Sequence, residues 1–245
     1  MFMDLDLWKT TTIIAGIVLT ITLFNNPAIT GAFISSRPVL ELFVMSQCPY
    51  GVAAEQLMAP VLNAFQDSID FRLHYIAAYS NNKLRSMHGA EEVNEDIRQL
   101  CAKKYYPNNY FNYVLCYNDL FAQCNADYST CSSSGGSDCS AAYSACVAGI
   151  DWEYCAAQLG FNVGTISNCY QSDEGKQLLI NDIKRAGELG IQGSETFVLD
   201  GLELSRTYRW SPDKLKQLIC DKHPGLSACS LTLGSGASGS VSGSC

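Results

Sequence analysis

Apolar and polar positions between residues 39 and 76 follow a strand–helix–strand pattern. Val39–Met45 is almost continuously apolar, which predicts a buried strand. Apolar residues between Pro49 and Phe65 recur at helical spacing, and Asp70–Ile76 alternates with the period of a strand. Together these segments predict the opening βαβ half of an α/β domain.

A second group of strands is predicted much later in the chain. Thr196–Leu199 and Leu202–Tyr208 have strand composition and are separated by Asp200-Gly201, a dipeptide that favours tight hairpin turns. Ser211–Cys220 follows as an amphipathic helix with Ser211 as its N-cap. These elements predict the closing half of the same domain.

The patterns divide the chain into four predicted regions. Residues 1–36 form a signal-anchor or signal peptide and linker, and residues 37–89 and 190–229 form the core. Residues 90–189 form a largely helical insertion that holds most of the cysteines. The Gly/Ser-rich residues 230–245 are expected to be a flexible coil.

The most informative residue is Cys48, because it lies where the first strand gives way to the first helix. Pro49 and Tyr50 follow, and Pro is well tolerated at the first helical position. Free helix N–H groups can lower the pKa of a thiol at this position and make it a nucleophile. The layout is typical of a thioredoxin-like active site, so we predict an α/β thioredoxin-like fold with an inserted disulfide-rich helical subdomain. The simpler alternative is a buried, inert core cysteine.

Three stretches resemble the DsbA-type thiol–disulfide oxidoreductases, and among them the branch of the lysosomal thiol reductase GILT. Val44–Tyr50 resembles the active-site strand and helix start of that group. His88–Glu92, followed by Cys101, resembles part of the GILT signature, and Gly193–Val198 resembles the loop opposite the active site. The resemblance implies a thiol–disulfide oxidoreductase whose catalytic residue is Cys48, acting on proteins or on small thiols and disulfides.

The sequence departs from this family pattern at the residues that would carry out the reaction. Gly51 replaces the second active-site cysteine, Ser86 and Val93 replace other signature cysteines, and Glu195 replaces the cis-proline. We therefore expect a trans Ser194–Glu195 bond and a Glu195 carboxylate that raises the pKa of the Cys48 thiol. We also expect weak turnover that Gly51→Cys combined with Glu195→Pro restores in part.

Twelve cysteines in 245 residues predict a disulfide framework in an oxidising compartment. Local spacing favours pairing Cys101 with Cys116, Cys155 with Cys169, Cys220 with Cys229, Cys124 with Cys146, and Cys131 with Cys139. A zinc site on the four cysteines from 124 to 146 is the alternative to the last two bridges. This framework leaves Cys48 and a spare thiol, Cys245, which is either a frayed end, a tethered resolving thiol or a crosslink between chains.

The net charge of the chain and its N-terminal segment limit the binding partners and the location that we expect. A formal net charge of −8 argues against nucleic acid. The uncharged, mostly apolar segment from Thr10 to Phe24 favours export, and with residues 27–34 it becomes long enough for a membrane anchor. We predict an extracytoplasmic protein with no metal or cofactor. The rival to an enzyme is an inactive binding or assembly module, which could self-associate through Cys245.

Overall fold

The computed structural model describes residues 37–205 and 210–234. The predictions on residues 1–36, on Cys245 and on the end of the second hairpin strand lie outside the described residues. Six strands are described: β1 (Val39–Val44), β2 (Asp70–Tyr75), β3 (Ala78–Ser80), β4 (Lys83–Arg85), β5 (Thr196–Leu199) and β6 (Leu202–Glu203). The described α-helices are α1 (Pro49–Phe65), α2 (Ala90–Tyr105), α3 (Tyr110–Ser133), α4 (Cys139–Ala148), α5 (Trp152–Gln158), α6 (Val163–Tyr170), α7 (Asp173–Leu189) and α8 (Pro212–Lys222).

The main sheet joins the two halves that the sequence predicts. Its strand order is β2-β1-β5-β6, with β1 parallel to β2 and antiparallel to β5. Asp200 and Gly201 connect β5 to β6 with positive φ angles of 52° and 79°, as a two-residue hairpin turn requires. Ser211 caps α8 by accepting a hydrogen bond from the Lys214 amide. A second hairpin, β3–β4, was not predicted.

Strand β1 is buried on both faces, which explains its continuous apolar run. Leu40, Leu42 and Val44 pack into the main core, which includes Met58 and Val61 of α1. Phe43 faces the opposite side and packs with Ala186 and other residues around the end of α7. A strand covered on both sides needs apolar residues at successive positions, and its C-terminal end is thereby fixed at the start of α1.

Five disulfides are described, and two of them correct the predicted framework. Cys101 pairs with Cys169, and Cys116 pairs with Cys155, so the predicted Cys101–Cys116 and Cys155–Cys169 bridges are wrong. Spacing along the chain misled the prediction because α2 packs against α6, and α3 packs against α5. The bridges follow these helix contacts, which join segments distant in sequence.

The other three predicted bridges are confirmed. Cys124–Cys146 and Cys131–Cys139 are nested across the α3–α4 hairpin, and Cys220–Cys229 ties α8 to the following 3₁₀ turn, Ser227–Ser230. Within residues 37–205 and 210–234, no group of His, Cys, Asp and Glu is arranged to hold a metal ion. The zinc alternative is therefore wrong for the four hairpin cysteines, since each is in a disulfide.

Among the helices of the described part of the chain, none has both the length and the apolar character needed to cross a bilayer.

Candidate active site around Cys48

Cys48 occupies the N-cap of α1, with Pro49 in the first turn. Its backbone is extended, its carbonyl accepts the Val52 amide at 2.9 Å, and its own amide donates to the Met45 carbonyl at 3.0 Å. The side chain of Cys48 is fully buried. The helix therefore begins where the sequence predicts, and it places the sulfur at the junction of β1 and α1.

Cys48 is disulfide-bonded. The ten other described cysteines pair with one another, so none of them is the partner of Cys48. The structure therefore represents an oxidised form of the site. Cys245, the remaining cysteine of the sequence, lies outside the described residues.

Gly51 lies one turn into α1 at a position with no room for a side chain. A Cβ there would lie 2.7 Å from the Met45 carbonyl oxygen and 2.8 Å from Ser194 Oγ. The first of these atoms belongs to the backbone of the strand end and cannot rotate away. The expectation that a cysteine at this position would restore turnover is therefore at odds with the packing, because the helix approaches the strand end more closely than a Cβ permits.

The loop that carries Ser194 and Glu195 lies beside the segment that carries Cys48. Ser194 Oγ accepts a hydrogen bond from the Met45 amide at 3.2 Å, and Thr196 Oγ1 donates to the Gly193 carbonyl at 2.7 Å. The Ser194–Glu195 peptide bond is cis, so the predicted trans bond is wrong. That expectation rested only on the general preference of a peptide bond before a non-proline residue for the trans form. It could not include the contacts of the loop. The effect of the Glu195 carboxylate on Cys48 stays a prediction.

Two buried carboxylates of α2 bind the backbone immediately before Cys48. Glu92 Oε1 accepts the Gln47 amide at 2.9 Å, and Asp96 Oδ1 accepts the Ser46 amide at 3.3 Å. With the bonds already described, four consecutive amides, from residue 45 to residue 48, all have acceptors. The backbone that presents the sulfur is therefore fixed by contacts from three different parts of the chain.

Glu92 is itself held by the loop that precedes α2. His88 donates its backbone amide to Glu92 Oε2 at 3.1 Å, and its Nδ1 lies 2.8 Å from Oε1. Ser86 Oγ donates a further hydrogen bond to the same carboxylate. Burial by itself would raise the pKa of Glu92, but the hydrogen bonds from His88 and Ser86 outweigh it and hold that pKa below its usual value.

These contacts show what the motif His-Gly-x2-Glu, residues His88–Glu92, does in this fold. His88 does not stand alone as a turn residue, because it orients Glu92, which in turn holds the Gln47 amide. Ser86, at a position where the signature has a cysteine, joins the same network.

Asp96 differs electrostatically from Glu92: burial raises its pKa well above the usual value, and the charge of Glu92 raises it further.

Two more carboxylates are fully buried, Glu55 on α1 and Glu95 on α2. Burial raises the pKa of Glu55 to about 8, although Asn118 donates a hydrogen bond to it at 2.7 Å. Burial likewise raises the pKa of Glu95 to about 7, against the opposing effect of Arg98, which donates to it at 3.1 Å. The sequence interpretation included Glu92 as part of the stretch His88–Glu92 but missed its contact with the Gln47 amide, and it missed Asp96, Glu55 and Glu95 altogether. The available signal was that these residues lie on the apolar faces of α1 and α2, where charged side chains are rarely buried without a reason.

The arrangement is suited to the chemistry of a sulfur atom. The N-terminus of α1 favours a thiolate at Cys48, whereas the ionised Glu92 on the neighbouring amide disfavours one. The structure brings Cys48, Pro49, Gly51 and Ser194 together, as the sequence predicts, with Tyr50 half-buried beside them. Thiol–disulfide exchange is the reaction that this site can support without a cofactor.

Comparisons with known proteins agree with this geometry. Residues 39–143 match the family model of the gamma interferon inducible lysosomal thiol reductase (GILT). The fold is similar to that of a provisionally assigned protein disulfide isomerase from Nitrosomonas europaea, at 14% identity and a TM-score of 0.54 over 76% of this chain and 97% of that one. It is also similar to MdbA, a thiol-disulfide oxidoreductase from Actinomyces oris, at 14% identity and a TM-score of 0.53 over 76% and 81%. No curated protein matches this chain. The predicted thioredoxin-like fold is confirmed.

Proposed function

We propose that this chain, which is a DsbA- and GILT-like thioredoxin-fold protein, exchanges disulfides with substrates through the sulfur of Cys48. The observation that carries the proposal is the disulfide-bonded sulfur of Cys48 at the N-terminus of α1. A sulfur at a helix N-terminus is a good leaving and attacking group because the helix stabilises its thiolate.

The second sulfur of the cycle is proposed to be Cys245. Position 51 has no room for a resolving cysteine, and every other described cysteine is in a bridge with another described residue. Cys245 is then the one cysteine of the sequence that remains as a partner for Cys48.

The exchange proceeds in two balanced steps. A substrate thiolate attacks the Cys48 sulfur, a substrate–Cys48 bond forms, and Cys245 leaves as a thiolate. A second substrate thiolate then attacks the first substrate sulfur, which is bonded to Cys48 in the mixed disulfide, and releases Cys48 as a thiolate. The substrate loses two electrons and gains a disulfide, while the protein gains two thiols. After this oxidation of the substrate, a small-molecule disulfide of the glutathione type can re-oxidise the protein. The reverse sequence reduces a substrate disulfide and oxidises the protein, which a small-molecule thiol of the glutathione type then returns to its dithiol form.

We further propose that the chain works outside the cytoplasm and is anchored in a membrane by its N-terminal segment. Five described disulfides suit an oxidising compartment. The apolar stretch from Thr10 to Phe24 suits a signal-anchor. Expression of the full chain in a secreting cell, followed by carbonate extraction of membranes, tests both points. Release into the soluble fraction would contradict the anchor.

A binding or assembly module without turnover is the second candidate. The full burial of Cys48 favours it, since exchange requires the groups that cover the sulfur to move aside. In this alternative the bond at Cys48 is structural, and Cys245 could instead link two chains. Insulin reduction is expected to be weak in either case, because the site lacks a neighbouring resolving cysteine.

Trapping experiments separate the two candidates. In a glutathione redox buffer, Cys245→Ser is expected to accumulate a glutathione adduct at Cys48, and the wild type is expected to show a Cys48–Cys245 bond in its peptide map. Cys48→Ser is the matched control and should carry an adduct at Cys245 instead. A Cys245→Ser chain that stays unmodified at Cys48 would establish the structural module, and a dimer on a non-reducing gel would establish the crosslink.

A further inference from the structure

The backbone before Cys48 is held by two carboxylates with different charge states. Glu92 and Asp96 lie one turn apart on the same face of α2, and each accepts a backbone amide from consecutive residues, Gln47 and Ser46. Both side chains are fully buried. The helix α2 therefore reaches the active-site loop through side chains that solvent does not screen.

The negative charge of this pair resides on Glu92. Three hydrogen bonds from Ser86 and His88 converge on the Glu92 carboxylate. Among the described residues, the second oxygen of Asp96, Oδ2, is buried and accepts no hydrogen bond of ordinary geometry, although the Ser46 side chain interacts with this carboxyl group. An unpartnered buried oxygen is costly on a carboxylate and tolerable on a protonated acid. The geometry thus supports one ionised and one neutral carboxyl group.

The Glu92 carboxylate lies close to Cys48, because it binds the amide of the preceding residue. Its Oε1 is 2.9 Å from the Gln47 nitrogen, and Cys48 is the next residue. Standard backbone dimensions then place the carboxylate within roughly 8 Å of the Cys48 Cα. At that separation in a buried environment, a fixed negative charge opposes the formation of a thiolate.

We infer that Glu92 and Asp96 are positioning residues for Cys48, which fix the peptide that carries it, and that the charge of Glu92 limits how readily the Cys48 thiol ionises. The inference rests on the proposed function, since it concerns the reactivity of the same sulfur. His88 and Ser86 act on Cys48 indirectly, because their hydrogen bonds keep Glu92 ionised and orient it towards the Gln47 amide. The segment His88–Glu92 therefore raises the pKa of the Cys48 thiol through the charge of Glu92.

The test uses the full chain with Cys245→Ser, so that Cys48 is the one cysteine outside the five described bridges. Its iodoacetamide alkylation rate is measured as a function of pH. Glu92→Gln keeps an acceptor oxygen for the Gln47 amide but removes the charge, and it is expected to increase the thiolate-to-thiol ratio about tenfold at a given pH. The matched control is Glu91→Gln, which removes the same charge from the same turn of α2 at a half-buried position. That control is expected to change the ratio less than twofold.

A second variant keeps the inference falsifiable if Glu92→Gln does not fold. His88→Gln changes a side chain that is 25% exposed and removes the imidazole that supports Glu92. A smaller change in the same direction is expected. Equal alkylation midpoints for the Glu92, His88 and Glu91 variants would overturn the inference while leaving the proposed function intact. A parent chain whose Cys48 is inert at every pH would overturn both.

Discussion

Ser194 Oγ accepts a hydrogen bond from the Met45 amide at 3.2 Å, and so joins the loop before β5 to the end of β1. The same oxygen lies 2.8 Å from the place that a Cβ on Gly51 would occupy. The loop, the strand end and the first turn of α1 therefore meet at one point, and Gly51 is the residue that lets them meet.

The first prediction follows from this close approach. Gly51→Ala is expected to destabilise the protein by about 1–3 kcal/mol, because the added methyl group overlaps the Met45 carbonyl oxygen. The measurement is the free energy of unfolding in urea. Gly187→Ala is the control, since no atom of the described residues lies within 4 Å of its added Cβ in the exposed part of α7. It is expected to stabilise by up to about 1 kcal/mol. Equal effects at both positions would contradict the packing described at Gly51.

The second prediction concerns pH. The pKa of Glu55 is raised to about 8 and that of Glu95 to about 7, so in the folded state both bind protons that the unfolded chain releases near pH 4.5. Stability that is present below pH 4.5 is therefore lost as pH rises towards 7 and 8. We expect a loss on the order of a few kcal/mol between pH 5 and pH 8.

Urea unfolding at both pH values measures this loss. Glu55→Gln, which stays neutral and can still accept from Asn118, is expected to make the dependence on pH shallower. A protein that is more stable at pH 8 than at pH 5 would show that these carboxyl groups are ionised in the folded state.

The third prediction ranks the disulfides. Replacing both cysteines of Cys101–Cys169 with alanine is expected to cost about 2 kcal/mol more than the same change at Cys131–Cys139. The first bridge closes a 68-residue separation and the second an 8-residue separation, and the entropy of the unfolded chain depends on loop length. Unfolding of the two double variants under identical oxidising conditions measures the difference. The reverse order would mean that strain or residual structure outweighs loop length.

The fourth prediction retains the sequence interpretation of Glu195. Glu195→Gln in the Cys245→Ser chain is expected to lower the pKa of the Cys48 thiol, because a negative charge on the facing loop disfavours the thiolate. The alkylation midpoint as a function of pH is the measurement. Glu153→Gln, an exposed change in α5, serves as the control. An unchanged midpoint in both variants would show that the Glu195 carboxylate has no influence on Cys48.

Local patterns predicted the elements well. The helix Pro49–Phe65 and the strand Thr196–Leu199 have the predicted bounds, because each is delimited by a strong local signal, a proline start or a hairpin turn. The cysteine pairs that span one hairpin were also predictable. Cys101 and Cys155 were not, because their partners are determined by which helices pack together, and that depends on side chains spread across the whole insertion.

The candidate site shows the same division between local and distant contacts. Cys48 and Pro49 could be recognised from their position at a strand–helix junction. The role of Glu92 could not, because its partner Gln47 lies 45 residues earlier in the chain. A motif in the sequence indicated that Glu92 matters, but only the tertiary contact shows which amide it binds.

The two nested long-range bridges of the insertion, Cys101–Cys169 and Cys116–Cys155, also affect how the chain is made. During synthesis Cys101 and Cys116 emerge together, well before Cys155 and Cys169, their native partners. In an oxidising compartment the two early thiols can form a bond with each other that the finished protein does not contain. A chain in which this early bond forms has to exchange it for the two native bridges after Cys155 and Cys169 have been made, and an isomerase acting on the nascent chain is expected to increase the yield of native protein.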